Sequence, residues 1–154
     1  MSEQATSVRS ILVPLDGSSL AELALPWALD MAAKNQAEVV LLRVGLPPTV
    51  FTAHDLEHLE AFQDQQQVHS MSYLRELEGR LEIPASVPVR LEYAAGNPGQ
   101  CIVERSEQLG CFMIVMCSSG RDVLSRWLLG SVAERVARHA PCPVLLVREP
   151  EPQI

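Results

Sequence analysis

Five short aliphatic runs alternate with longer amphipathic stretches along this 154-residue chain. The runs are Ser10–Leu15, Glu38–Val44, Val87–Tyr93, Phe112–Met116 and Pro143–Val147. Several are apolar at consecutive positions, which suits strands covered on both faces. Strand–helix alternation builds βαβ units with right-handed crossovers and a parallel sheet. The pattern therefore predicts an α/β fold: a doubly wound, open, five-stranded parallel sheet, Rossmann-like, with helices on both faces. With a strand order of 3-2-1-4-5, the order reverses between the first and fourth strands. Such sheets bind ligands at that reversal, beyond the carboxyl ends of the strands.

The intervening stretches carry helix signals. A first helix begins near Ser18 or Ser19, where Ser19 and Glu22 fit a capping box. Its buried stripe is expected at Leu20, Leu23, Trp27, Ala28 and Met31, with a bend near Leu25 because Pro26 removes a backbone donor. A long second helix is expected from about Asp55 to Leu81, burying Leu56, Leu59, Phe62, Met71, Leu74, Leu77 and Leu81. The third opens with Asn97 as N-cap and Pro98 at the first helical position. The fourth opens at Ser131, with Glu134 completing a capping box. Neither a repeat nor a second domain is visible, so residues 1–154 read as one domain with its core at about 9–148 and loose tails.

Charge and cysteine content narrow the function classes. The formal charge is −7, which argues against non-specific binding to nucleic acid or anionic membranes. The polar start and short first apolar run suit neither a signal peptide nor a membrane span. Cys101, Cys111, Cys117 and Cys142 lack CxxC spacing and read as reduced thiols, so the expected location is the cytoplasm. His54 and His58 stand one helical turn apart, but with no obvious third ligand they read as a solvated face, and no metal site is assigned.

The stretch Cys117–Arg148 carries the chemistry. It runs from a strand end through a loop containing Gly120 and Gly130 into a helix at Ser131. A glycine-containing loop feeding a helix N-terminus presents backbone N–H groups and the positive dipole end to an anion. No P-loop lysine follows, so this is not a Walker motif. The first strand ends at Pro14-Leu15-Asp16-Gly17, and the predicted strand order turns both pieces toward one crevice.

These residues resemble the universal stress protein family over nearly the whole chain. The opening ILVPLDGS and the closing LLGSVAERVARHAPCPVLLVR are similar to the family's first strand and helix and its last loop, helix and strand. Nucleotide-binding members carry Gly-2x-Gly-9x-Gly-(Ser/Thr); here Gly120, Gly130 and Ser131 fit, and Cys117 stands at the first glycine position. The resemblance implies a stress-response module, usually a homodimer, binding adenosine phosphate, here ATP with Mg or Mn; the apolar edge of the fifth strand, with no gatekeeper from Val144 to Val147, is the expected pairing surface. Pro14, Leu15 and Asp16 would lie beside the nucleoside, with Asp16 accepting from adenine or ribose. The backbone of Val44 would contact adenine. Cys117, Gly120, Arg121, Gly130, Ser131 and Val132 would surround the phosphates. Each position has a plainer reading as well: Asp16 as turn chemistry, Val44 as an ordinary strand residue, Ser131 as an N-cap, the glycines as loop closure. Cys117 and Asp122 depart from a binder's pattern, Cys117 by adding a side chain and Asp122 by adding negative charge. An alternative is therefore a dimeric interaction module without nucleotide. No catalytic group is assigned, and at most slow, incidental ATP hydrolysis is expected.

Overall fold

The computed structural model describes residues 7–47, 53–118 and 129–150, with the backbone alone over 53–57. The strands are β1 (Arg9–Leu15), β2 (Ala37–Gly45), β3 (Val89–Ala95), β4 (Met113–Cys117) and β5 (Val144–Val147). The helices are α1 (Leu25–Asn35), α2 (Ala53–Arg80), α3 (Pro98–Leu109) and α4 (Ser131–His139). All strand pairs are parallel, and the sheet order is β3-β2-β1-β4-β5, as the sequence predicts.

Alternation along the strands builds a core on each face of the sheet. Ile11, Val13, Val39, Leu41 and Val115 pack on Leu25, Ala28, Leu74 and Leu77 from α1 and α2. Leu12, Val40, Leu42, Ile114 and Met116 face the other way, onto Ile102 of α3 and Ala133 and Val136 of α4. Burying a large aliphatic side chain stabilises by about 1.5–3 kcal/mol, which is why these runs hold to the sheet centre.

Three local expectations change. Residues Ala21–Ala24 form a 3-10 turn, and the α-helix proper starts at Leu25 with Pro26 in its first turn, where a missing N–H costs nothing. A 3-10 turn has three residues per turn, so the buried stripe shifts. It becomes Ala24, Leu25, Ala28, Leu29 and Ala32, and Trp27 is 55% exposed. Ser18 replaces Ser19 as the oxygen that accepts from a turn amide, that of Ala21 at 3.2 Å, while Glu22 takes the Tyr73 hydroxyl instead. In α4 the N-cap is Gly130 without a side-chain cap, so Ser131 is the first helical residue and Glu134 pairs with Arg138.

The fourth difference shapes the site. The 28 residues of α2 span about 42 Å, whereas the nine residues of β2 span about 30 Å. Among the described side chains of α2 the buried ones, Ser70, Leu74 and Leu77, lie in the second half, while the expected core residue Leu56 falls outside the described side chains. The first half overhangs the carboxyl ends of the strands, and Phe62, expected in the core, is exposed.

Candidate functional site

A cleft of about 570 Å³ opens beyond the carboxyl ends of β1, β2 and β4. Its floor comes from Pro14, Leu15 and Asp16 at the end of β1, Met116 and Cys117 at the end of β4, and Val44 and Gly45 at the end of β2. Val132 and Ala133 of α4 and Pro98 and Ile102 of α3 close one side, and Gln66 and Ser70 of α2 the other. The register explains the opening. Leu15 pairs with Arg43, so β2 runs two residues past β1, to Gly45. The flank of Val44 and Gly45 facing β1 therefore has no strand neighbour.

At one end of the cleft stands the start of α4. Gly130 has an extended conformation, φ −60° and ψ 154°, and its N–H donates to the Ser118 carbonyl at 3.2 Å. The carbonyl of Gly130 accepts from Glu134. The first-turn amides of a helix have no intrahelical acceptor, and here no side chain of the described residues caps them. The helix dipole adds positive potential at the same place. Val132 and Ala133 carry that end of the helix into the cleft wall.

At β1 the Asp16 carboxylate accepts from the backbone N–H of Ser18 at 2.8 Å and from its hydroxyl. Asp16 is thus both a turn former and a cleft residue, its carboxylate exposed at the mouth. Cys117 ends β4 in a strand conformation, 8% exposed, so it carries no positive-φ strain. Burial pushes the thiols of Cys101, Cys111 and Cys142 up, Cys111 to about 12, which keeps them protonated and poor nucleophiles.

The cleft thus brings together Pro14, Leu15, Asp16, Val44, Cys117 and Val132 from the sequence-derived set. Gly130 and Ser131 adjoin it at the start of α4. Gly120 and Arg121, with Asp122, lie outside the described residues.

Sequence reasoning missed the α2 wall and Arg43. The Arg43 guanidinium stands 5.8 Å from the Tyr73 ring centroid and donates through Nη1 to the Leu15 carbonyl at 3.4 Å. Among the described residues its Nε is buried without an acceptor, an arrangement that costs about 1–3 kcal/mol. Tyr73 in turn donates to Glu22 at 2.8 Å, and burial together with that bond holds its phenol well above the usual range. A signal was present: Arg43 is the one charge inside the otherwise aliphatic run VVLLRV.

A model of the universal stress protein family matches residues 7–148. The universal stress protein YxiE of Bacillus subtilis is 33% identical over 147 residues, covering 90% of this chain and 97% of its own. The solved universal stress protein UspA of Lactobacillus plantarum has a TM-score of 0.79 at 26% identity, covering 93% of this chain and 99% of that one. A universal stress protein family member from Arabidopsis thaliana, solved with AMP bound, shares the fold at 15% identity and TM-score 0.58, with 93% of each chain covered.

Proposed function

The chain belongs to the universal stress protein family, and we propose that it is a cytoplasmic, dimeric stress-response module that binds an adenine nucleotide, ATP foremost, in this cleft. The observation that carries the reading is the uncapped N-terminus of α4 at one end of a 570 Å³ cleft whose far end is an open strand flank. Phosphates suit the first and a nucleoside the second. The AMP described for the Arabidopsis relative is consistent with this, though at that distance the likeness speaks for the fold alone.

In this reading the amides of Ser131 and Val132 hold phosphate oxygens, Gly130 admits them closely, and Gly120 and Arg121 complete the loop. Asp16 accepts from ribose or adenine, with Pro14, Leu15 and Val44 beside the base. Mg or Mn enters with the triphosphate, bound to its oxygens. The protein acts by binding. Phosphoryl transfer requires a positioned nucleophile as well as charge neutralisation, and no residue of the cleft is assigned that role, so hydrolysis is at most slow and incidental.

The dimer forms through β5, which lies at the sheet edge with Val144, Leu145 and Leu146 only partly buried. An unpaired apolar edge favours pairing with a copy of itself. Among the described residues no helix is long and apolar enough to cross a membrane.

The test is calorimetric titration with ATP, ADP and AMP, beside the variant Gly130→Asp. An extended N-cap accepts Asp without strain and gains a capping oxygen, so the fold should persist while a carboxylate occupies the phosphate position. Loss of binding with an unchanged or raised Tm is expected. Full ATP affinity in Gly130→Asp would exclude this site. A second reading, an interaction module without nucleotide, is favoured by the Cys117 side chain in the cleft wall; failure of the wild-type protein to bind any of the three would establish it.

A further inference from the structure

Among the described residues lining the cleft, Arg43 is the one cation, and it is far from the phosphate end. It sits on β2, separated by β1 from β4 and the start of α4. Two strand spacings make that separation about 10 Å. The α2 side of the cleft is polar: Gln66 and the buried Ser70 line it, one turn apart. Its guanidinium is held loosely, by one bond of 3.4 Å and one aromatic face, and its Nη2 lies 3.8 Å from where a Cβ on Gly17 would stand.

Buried donors are paired in nearly all folded proteins, so the orphaned Nε is an unusual feature. Arginine has donors only and can be satisfied only by acceptors. The Leu15 carbonyl takes Nη1, and among the described residues no group accepts from Nε. Held by one long bond and a ring face, the guanidinium can pivot toward the cleft and exchange an unpaired N–H for a bond.

We propose that Arg43 is a ligand-binding residue of the nucleoside end, donating to acceptor atoms of the base or ribose beside Gln66 and Ser70. This deepens the nucleotide reading above and rests on it. The ring nitrogens of adenine and the ribose oxygens are acceptors of the required kind. Because Arg43 stands two strands from α4, its contribution is made to the nucleoside and does not depend on how many phosphates follow.

The experiment is a titration of wild-type protein, Arg43→Gln and Arg43→Lys with adenosine, AMP and ATP, with a melting curve for each variant. Arg43→Gln should weaken all three ligands by a common factor of about tenfold. Arg43→Lys should weaken them similarly, since lysine keeps the charge but loses Nε–H and the planar fork. Arg43→Lys retains the cation on Tyr73 and decides the matter alone if Arg43→Gln does not melt cooperatively. Two outcomes overturn the inference: affinities within twofold of wild type, or a loss that grows from adenosine to ATP and is rescued by lysine, which would place Arg43 on phosphate. A wild-type protein that binds none of the three ligands overturns the nucleotide reading and this inference with it, whereas unaltered variants of a binding wild type overturn this inference alone.

Discussion

Gly45 ties the fold to the cleft, and replacing it with alanine tests that tie quantitatively. A Cβ at Gly45 would stand 2.1 Å from Tyr93 Oη, 2.9 Å from Tyr93 Cζ and 2.7 Å from Gln66 Oε1. The nearest of these falls more than an ångström short of ordinary van der Waals contact, which begins at 3.4 Å. Tyr93 from β3 thus lies directly over the Gly45 backbone, and Gln66 leans in from α2. Overpacking of this kind costs about 1–3 kcal/mol. Against it stands the gain from replacing glycine in a strand, about 0.5–1 kcal/mol. The clash wins, leaving Gly45→Ala destabilised by about 1 kcal/mol, a fall in Tm of about 2–4 °C for a chain of this size. The assay is thermal unfolding of Gly45→Ala, Tyr93→Ala and the double variant. In the Tyr93→Ala background the ring is gone, and Gly45→Ala should cost less by about 1 kcal/mol, a coupling of the size expected for residues in contact. An equal cost in both backgrounds, or a raised Tm in the single variant, would refute the steric argument.

Two further outcomes follow from the edge strands. Arg105 grips Glu92 through Nε at 2.5 Å and Nη2 at 2.6 Å, and these bonds hold the Glu92 carboxyl below its ordinary 4.5. A depressed carboxylate stabilises the fold above its unfolded pKa and loses that contribution as pH falls through the folded value. Melting curves of Glu92→Gln should therefore fall less steeply than wild type below about pH 4.5, and parallel acid limbs would count against the pair. At the opposite edge, lysine at both Leu145 and Leu146 should yield monomers or insoluble protein, while a wild-type mass of 16.9 kDa by light scattering at micromolar concentration would refute the dimer.

The sheet was legible because its signal is collective. Five aliphatic runs with helical spacers admit few topologies, and each observed strand begins and ends within two residues of its run. Single-residue readings failed where tertiary geometry decides between equivalent local choices. Ser18 and Ser19 are both good caps, and only the path of the chain after Gly17 gives the Ala21 amide to Ser18. Trp27 fits a helical stripe, but the 3-10 turn ahead of Leu25 rotates the stripe away from it. Phe62 has the right periodicity for burial, yet α2 outruns the sheet before reaching it. The same overhang hid Gln66. Polar residues on a long helix read as solvated until the length of the helix is compared with that of the strand beneath it.

Position 117 shows how a motif and a conformation part company. A glycine is required where φ is positive or where backbone must approach a ligand too closely for a Cβ. The first demand does not arise at Cys117, which completes β4, pairs with Val147, and has no positive φ. What cysteine adds is volume, one thiol in the wall between Met116 and the start of α4. The phosphate end does not depend on this residue for its donors, because those belong to the first turn of α4, whose cap is Gly130. If the cleft takes a nucleotide as proposed, the departure from the family motif changes the shape of the cleft and leaves the first-turn amides of α4 in place. In that reading, affinity turns on whether the wall fits around the ligand, and Arg43 and Gly45 of β2 and Gln66 of α2 are part of that wall.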